Sequence, residues 1–288
     1  MTGIARPRSG RSNLVALALV LVVAPVSAQQ IRNFEYARPL GAERRLHAVI
    51  EFAAGRLVVR PAARERLYGL SLEYDADRFR PIGRYDAKAG EVHLGVAGTG
   101  SGGIRVDRRR ALPQEARIEL AAGVDLSLDA SIGAAESTLD LGGLRLSGIE
   151  LKTGASRTTI NFATPTTGSC RTASITSGAG ELAVTNAGNS GCRSWRFDGG
   201  IGEVKLDLGG AWPADARVTL NMALGGVTLS APRDLGLRVR VSGFLADFDA
   251  EGFDKDGKTY TSTNYRSAKR HIDVEVSSAL GGVTVVWK

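Results

Sequence analysis

The chain has 288 residues, 43% hydrophobic and 6% aromatic, with 36 glycines and a formal net charge of +7. That length suits one large all-β domain or two smaller ones, and abundant Gly with few aromatics suits thin strands and tight corners. Three arginines fall in the N-terminal export segment described next, leaving a charge of +4, too mild for a nucleic-acid footprint and compatible with weak attraction to anionic envelope polymers.

Residues 1–28 read as a signal peptide. Arg6, Arg8 and Arg11 form a positive start, residues 14–24 an apolar run closed by Pro25, and Val26-Ser27-Ala28 a small-residue cleavage site. The expected mature chain starts at Gln29. The apolar run is short for a membrane span, although an uncleaved anchor stays open. No other stretch is long and apolar enough to cross a bilayer as a helix, so the expected location is periplasmic or secreted, where disulfides persist.

Residues 29–45 show no clear period and read as a tether or lead-in segment. From residue 46 onward alternation begins. Ala48, Ile50 and Phe52 lead to Ala53-Ala54-Gly55, Leu57 and Val59 follow, and Pro61 ends the run. Leu70, Leu72 and Tyr74 alternate next, then comes a polar excursion at 75–85, a bend-and-strand copy at 89–96 and a Gly-rich loop at 97–103. Residues 46–112 thus form an irregular first part, ending in an exposed Arg108-Arg109-Arg110, and 113–288 a regular one.

In the regular part a short phrase returns. Its clearest copy runs from Phe197 through Gly199 and Gly200 to Leu208; Ala-Leu-Gly-Gly-Val recurs at 223–227 and at 279–283. Anchored on one small residue of each bend, at Gly133, Gly154, Gly178, Gly200, Ala223, Phe244 and Ala279, the spacings are 21, 24, 22, 23, 21 and 35. Near-constant spacing marks a solenoid whose turns pack on their neighbours. Apolar residues stand five and three before the anchors, such as Trp195 and Phe197. In the copies anchored at Gly178, Gly200, Ala223 and Ala279 they alternate at four, six and eight after them, such as Val204, Leu206 and Leu208; Asn186 and Trp287 hold the eighth place in two copies. Polar residues alternate with them, so one face is core and the other solvent. The expected fold is all-β: a right-handed β-helix-like solenoid of about 21–24 residues per turn, each turn giving two strands around a Gly corner. Regularly spaced hairpins in a β-sandwich are the alternative.

Cys170 and Cys192 each lie eight residues before an anchor in consecutive turns. Adjacent rungs lie about 4.8 Å apart, within disulfide reach, so a Cys170–Cys192 bridge is expected; two buried thiols are the alternative. The long last spacing needs an insertion at 249–271, read as a cap on the open edge or as a binding loop carrying Tyr260, Asn264 and Tyr265.

These residues resemble a known family. Residues 47–61, with Ala-Ala-Gly-Arg-Leu-Val-Val-Arg-Pro, are similar to the N-terminal segment of bacterial toastrack-domain proteins. The end, with Asn264-Tyr265, Lys269 to Val274 and Leu280-Gly281-Gly282-Val283-Thr284-Val285, looks like the C-terminal domain of LiaF-type proteins. The resemblance covers 46–288 and implies one toastrack-like domain at the cell envelope, tied to stress sensing or adhesion, with no catalytic residues to transfer. The multi-span membrane part of LiaF-type proteins is missing here.

Chemical motifs are sparse. His47, His93 and His271 lie far apart in sequence without metal-ligand spacing, and His93 falls on an outward strand position. No nucleophile elbow or phosphate loop occurs, and Asp254-Lys255-Asp256-Gly257 lacks the rest of a Ca²⁺ loop. No metal or cofactor is expected. The remaining candidate is an outward ladder seven residues past successive anchors: Asp140, Asn161, Thr185, Asp207 and Ser230. It is a solvated strand face or a ligand-binding face; Asp140 and Asp207 stand three turns apart, about 14 Å, too far for a catalytic carboxylate pair. The reading is therefore an exported non-catalytic module that binds an envelope protein or glycan. A carbohydrate-active enzyme or polysaccharide binder on a β-helix, and a structural protein self-associating through solenoid ends, are the alternatives.

Overall fold

The computed structural model describes residues 30–100 and 114–288. The signal segment 1–28, the loop residues 101–103, the Arg108-Arg109-Arg110 run and Leu112-Pro113 lie outside them. The described chain is all-β, a β-solenoid-like stack in one open 15-stranded sheet.

The N-terminal part contains β1 (Ile31–Pro39), β2 (Arg45–Pro61), β3 (Arg66–Asp75), β4 (Phe79–Asp86), β5 (Glu91–Gly98) and β6 (Glu115–Leu120). β2 founds the stack. Its first half, His47 to Phe52, pairs parallel with β5, and its second half, Arg56 to Pro61, pairs parallel with β6. β4 then lies antiparallel on β5, β3 antiparallel on β6, and β1 antiparallel on β3. Two readings are corrected here. The 29–45 segment is no tether, since β1 occupies most of it. Most of the polar excursion at 75–85 is β4, which runs one residue past it. β1 is largely solvent-facing and β4 mostly half-buried or exposed, so neither shows the full apolar alternation of a core strand.

The regular part contains β7 (Asp125–Asp140), β8 (Leu146–Asn161), β9 (Thr172–Thr185), β10 (Ser194–Asp207), β11 (Ala216–Ala231), β12 (Leu235–Asp249), β13 (Phe253–Asp256), β14 (Thr259–Ser262) and β15 (Arg270–Trp287). β7 pairs parallel with β2, and β7 through β11 pair in parallel succession. Each turn is one continuous strand bent at its middle, where two strands around a corner were expected. The anchors align: Ile132 faces Thr153, Ala155 faces Ala179, and Ile201 faces Leu224, on either side of the anchor column.

The bend has a steric cause. Two residues past the anchors, Gly180, Gly202, Gly225 and Gly281 take φ of 136°, 149°, 136° and 145°. A Cβ at Gly202 would clash with the Gly180 carbonyl oxygen, far inside van der Waals contact, and the same holds at Gly225 against Gly202 and at Gly281 against Gly225. At these four rungs only Gly fits, because φ is positive and the backbones approach this closely; Ala135 and Ser156 hold the same place in the earlier rungs without a positive φ. The left-handed position is thus two residues beyond the expected corner.

Each bent strand carries two arms, and the core lies between them. Leu128, Ile149, Ala173, Trp195, Val218 and Val274 are buried from the first arm; Leu182, Val204, Val227 and Val283 from the second. Leu141, Leu144, Phe162, Ala187 and Trp212, from the connections, are buried as well and close the third side. Two positions expected in the core differ. Asn186 takes φ 56° as the residue before a 3-10 turn, Ala187–Ser190, so Ala187 takes the buried place. Trp287 is half-buried; it stacks on Phe253 at 5.5 Å and its indole N–H donates to the Glu251 carbonyl at 2.9 Å.

The Cys170–Cys192 disulfide is formed, with Cα atoms 4.4 Å apart. It links the connections leading into β9 and β10.

The last rungs depart from chain order. β15 runs between β11 and β12, parallel to both. Val227 faces Val283, and Val239 faces Val274. The chain passes outward through β12, turns in the β13–β14 hairpin, and returns one rung inward. Inserted there, β15 satisfies hydrogen bonds on both edges along nearly its whole length. β14 pairs antiparallel with Arg238, Val239 and Arg240 of β12, so part of the 249–271 insertion does cover the terminal edge. No helix among the described residues is long and apolar enough to cross a membrane.

Candidate functional site

The register assembles the five ladder residues on the outer face of the second arm. Asp140 faces Asn161, Asn161 faces Thr185, and Asp207 faces Ser230; β9 and β10 join the two groups through Val184 and Leu206. All five are half-buried. Thr185 Oγ1 donates to Asn161 Oδ1 at 2.7 Å. Asp207 is tied into the backbone: it accepts from the Gly209 N–H at 2.9 Å and the Asn186 N–H at 3.3 Å, and Lys288 Nζ lies 3.0 Å away. Asp140 Oδ1 is buried with no hydrogen-bond partner among the described residues. The ladder is thus a column of small hydrogen-bonding groups at rung spacing, held by hydrogen bonds at Asn161, Thr185 and Asp207. Nearer the bend, charge alternates between rungs: Arg56 lies 3.6 Å from Glu136, and Arg157 Nε donates to Glu181 at 3.0 Å. The Arg157 hydrogen bond holds the Glu181 carboxyl below the usual carboxylate range.

The three insertion residues do not gather into one loop surface. The Tyr260 ring stacks on Phe248 with centroids 3.9 Å apart. Asn264 Nδ2 donates to the carbonyls of Arg233 and Leu235, both at 2.9 Å. The Tyr265 hydroxyl donates to Asp273 at 3.3 Å under the Arg238 guanidinium, 4.4 Å from its ring. Burial, then the Asp273 charge, pushes the Tyr265 phenol up. Each fastens the insertion to β12 or β15.

One cluster escaped the sequence reading. His47 Nδ1 lies 3.1 Å from Glu91, and His47 Nε2 lies 2.9 Å from Asp129. His93 Nε2 lies 2.5 Å from the other Glu91 oxygen and 3.0 Å from an Arg84 guanidinium nitrogen. The hydrogen bond from His93, opposed by burial and helped by His47, holds the Glu91 carboxyl low. Two histidines far apart in sequence thus share one carboxylate, and His93 is engaged where a free outward position was expected. Separations of 44 and 82 residues hide the contacts of His47; only the pairing of β5 and β7 with β2 creates them. Among the described residues no group of three or more His, Cys, Asp or Glu is arranged to hold a metal ion. His271 stands apart, beside Asp215 and the Tyr265 carbonyl.

A bent parallel stack with polar outer columns defines a β-solenoid-like scaffold. The family model described as the N-terminal domain of toast_rack, DUF2154, matches residues 26–185. That is more than half of the chain, and the chain belongs to the toast_rack family. Solved structures are similar at low identity. A proposed cell adhesion protein from Clostridium sporogenes is 18% identical with a TM-score of 0.45, covering 89% of this chain and 100% of its own. A proposed adhesin from Bacteroides fragilis is 8% identical with a TM-score of 0.41, covering 90% and 98%. A proposed lipid binding protein from Parabacteroides distasonis is 9% identical with a TM-score of 0.32, covering 89% and 96%. Likenesses of this size transfer no function. No curated protein matches the chain.

Proposed function

We propose that the protein is an exported, non-catalytic binding module of the cell envelope, serving surface attachment or envelope-stress response. The observation that carries this reading is the polar ladder on the second arm. Its side chains are short and stacked in register, and three of the five are fastened, Thr185 to Asn161 and Asp207 to the Gly209 N–H. Such a face is preorganised for recognition, because little side-chain entropy is lost when a partner docks. A disulfide within the stack accords with an oxidising compartment, and the Arg-rich N-terminal segment accords with export. The test is a cross-linking pull-down with the purified protein as bait in an envelope extract, read for both proteins and glycans. A saturable partner of either kind, competed by untagged protein, is the expected result. Turnover of an envelope polymer by the purified protein would overturn it in favour of a carbohydrate-active enzyme.

A second reading, self-association, is favoured by the two ends of the sheet. Among the described strands, β1 pairs only with β3, and the second half of β12 pairs only with β15. Unpaired strand edges are templates for another chain. Sedimentation over a rising concentration series separates the readings: a constant monomer mass removes self-association.

A further inference from the structure

We infer that a hollow at the start of the first arm binds an anionic glycan through Arg45, Arg145 and Arg171. This site rests on the reading of the chain as an exported binding module, and it lies away from the polar ladder of the second arm.

The hollow has a volume of about 590 Å³ and lies between β2, the turn entering β8 and the loop entering β9. The register explains why three arginines meet. Arg45 faces Asp125 across the β2–β7 pairing, and Arg145 is ion-paired to Asp125 from the next rung. The Arg171 N–H donates to the Ser147 carbonyl at 3.3 Å, which places Arg171 one rung further. Arg193 continues the row, because the Ser194 N–H donates to the Arg171 carbonyl at 3.1 Å. All four arginines are exposed. Among the described residues Arg145 has Asp125 as ion-pair partner, while Arg45, Arg171 and Arg193 have none. His47 and Asp125 also line the wall; His47 is engaged by Glu91 and Asp129, and Asp125 by Arg145.

Arg145 and Arg171 stand on adjacent rungs, about 4.8 Å apart, and Arg45 two rungs before Arg145 with Asp125 between them. The single carboxylate leaves the three cations in excess, and they repel unless a further anion joins them. Guanidinium groups match planar carboxylates and phosphates as forks. The rest of the wall is mainly hydroxyl and glycine, Ser127, Ser147, Thr167 and Ser169 with Gly90 and Gly168, beside Leu46 and Ala89. That lining suits a polyhydroxylated ligand better than the apolar side chains of a peptide. The volume falls in the range of small-ligand sites, about 300–1,000 Å³, enough for one or two sugar rings. The shared chemistry is an oxyanion carried on a sugar, as a uronate carboxylate or a phosphate ester.

The test is a calorimetric titration of the purified protein with three oligosaccharides of equal length: an oligouronate, a phosphorylated oligomer and a neutral one. Binding of at least one anionic oligomer, weakened by salt and absent for the neutral oligomer, is expected. A preference between the two anionic oligomers names the source of the charge. The double substitution Arg45→Gln and Arg171→Gln is expected to weaken binding by about tenfold or more. Ser169→Asp, on an exposed loop residue, places a carboxylate in the hollow and is expected to abolish binding with the thermal melt unchanged. Failure of both anionic oligomers to bind, or equal binding by wild type and Ser169→Asp, overturns the site. If envelope material is still retained in the pull-down under those conditions, the site alone fails and the binding-module reading stands.

Discussion

Two buried or half-buried polar arrangements carry testable energies at the residue scale. Thr158 Oγ1 lies 2.8 Å from Ser137 Oγ and 3.2 Å from Ser156 Oγ, all three buried. Ser137 and Thr158 occupy inward places that hold Leu182 and Val204 in the following turns, and Ser156 stands in register with Gly180. Thr158→Val should cost about 1–2 kcal/mol, because the remaining hydroxyls lose their partner in the core. A double-mutant cycle with Ser137→Ala, read by urea denaturation, should give a coupling near 1 kcal/mol; additivity would mean the hydroxyls find other partners. Glu119 is the second case. Arg60 Nε and Nη2 donate to its Oε1 at 3.1 and 2.7 Å, and Arg66 donates to Oε2. The Arg60 hydrogen bonds, opposed by burial and helped by Arg66, hold its carboxyl below the usual range. A lowered folded-state value means the clamp stabilises fully above the ordinary Glu value of about 4.3 and loses that contribution as pH falls through the folded value. Glu119→Gln should therefore destabilise at pH 7, and its deficit against wild type should close as the pH is lowered below about 4. A deficit unchanged in acid would assign the effect to packing. The basic clamp was not legible in the sequence, since Arg60, Arg66 and Glu119 come from three separate strands.

The bent strand is the unit at the element scale. Its period, its inward columns and its disulfide were legible, because a 2-residue alternation and a repeated small-residue bend survive in every copy. The order of the last rungs was not. Ala-Leu-Gly-Gly-Val occurs at both 223–227 and 279–283, so the two copies offer neighbours nearly the same surface, and no local signal says which lies outermost. β1 was missed for the opposite reason: exposed over most of its length, it sets only Phe34 and Tyr36, both half-buried, against the core. The glycine column predicts a sharp contrast. Gly202→Ala should destabilise by at least about 2 kcal/mol, combining backbone strain with a clash against the Gly180 carbonyl. Gly226→Ala, where nothing lies within 4 Å of an added Cβ, should change stability by less than about 0.5 kcal/mol. Equal effects at the two sites would refute the close-approach explanation of the bend. Removing the bridge with Cys170→Ser and Cys192→Ser together should cost about 3 kcal/mol, as the loop-entropy relation gives for a separation of 22 residues. A drop in thermal midpoint with native circular dichroism is the expected signature; an unchanged midpoint would show that the adjoining rungs hold these connections without it.

The whole molecule is a rack of parallel rungs, with the β13–β14 hairpin on part of one terminal strand and the mixed strands β1, β3, β4 and β6 at the other end. Rigid rungs fix the spacing of outward side chains, and that spacing is what the molecule has to offer a partner. The ladder residues were legible as a column, whereas the arginine hollow and the His47–Glu91–His93 cluster arise only from pairing across rungs. The most direct measurement is co-sedimentation of the purified protein with an isolated envelope fraction, with bound protein and polymer length followed together. A binding module predicts saturable co-sedimentation, lowered by substitution on the ladder or in the hollow, with polymer length unchanged. No binding, or shortening of the polymer, would contradict it.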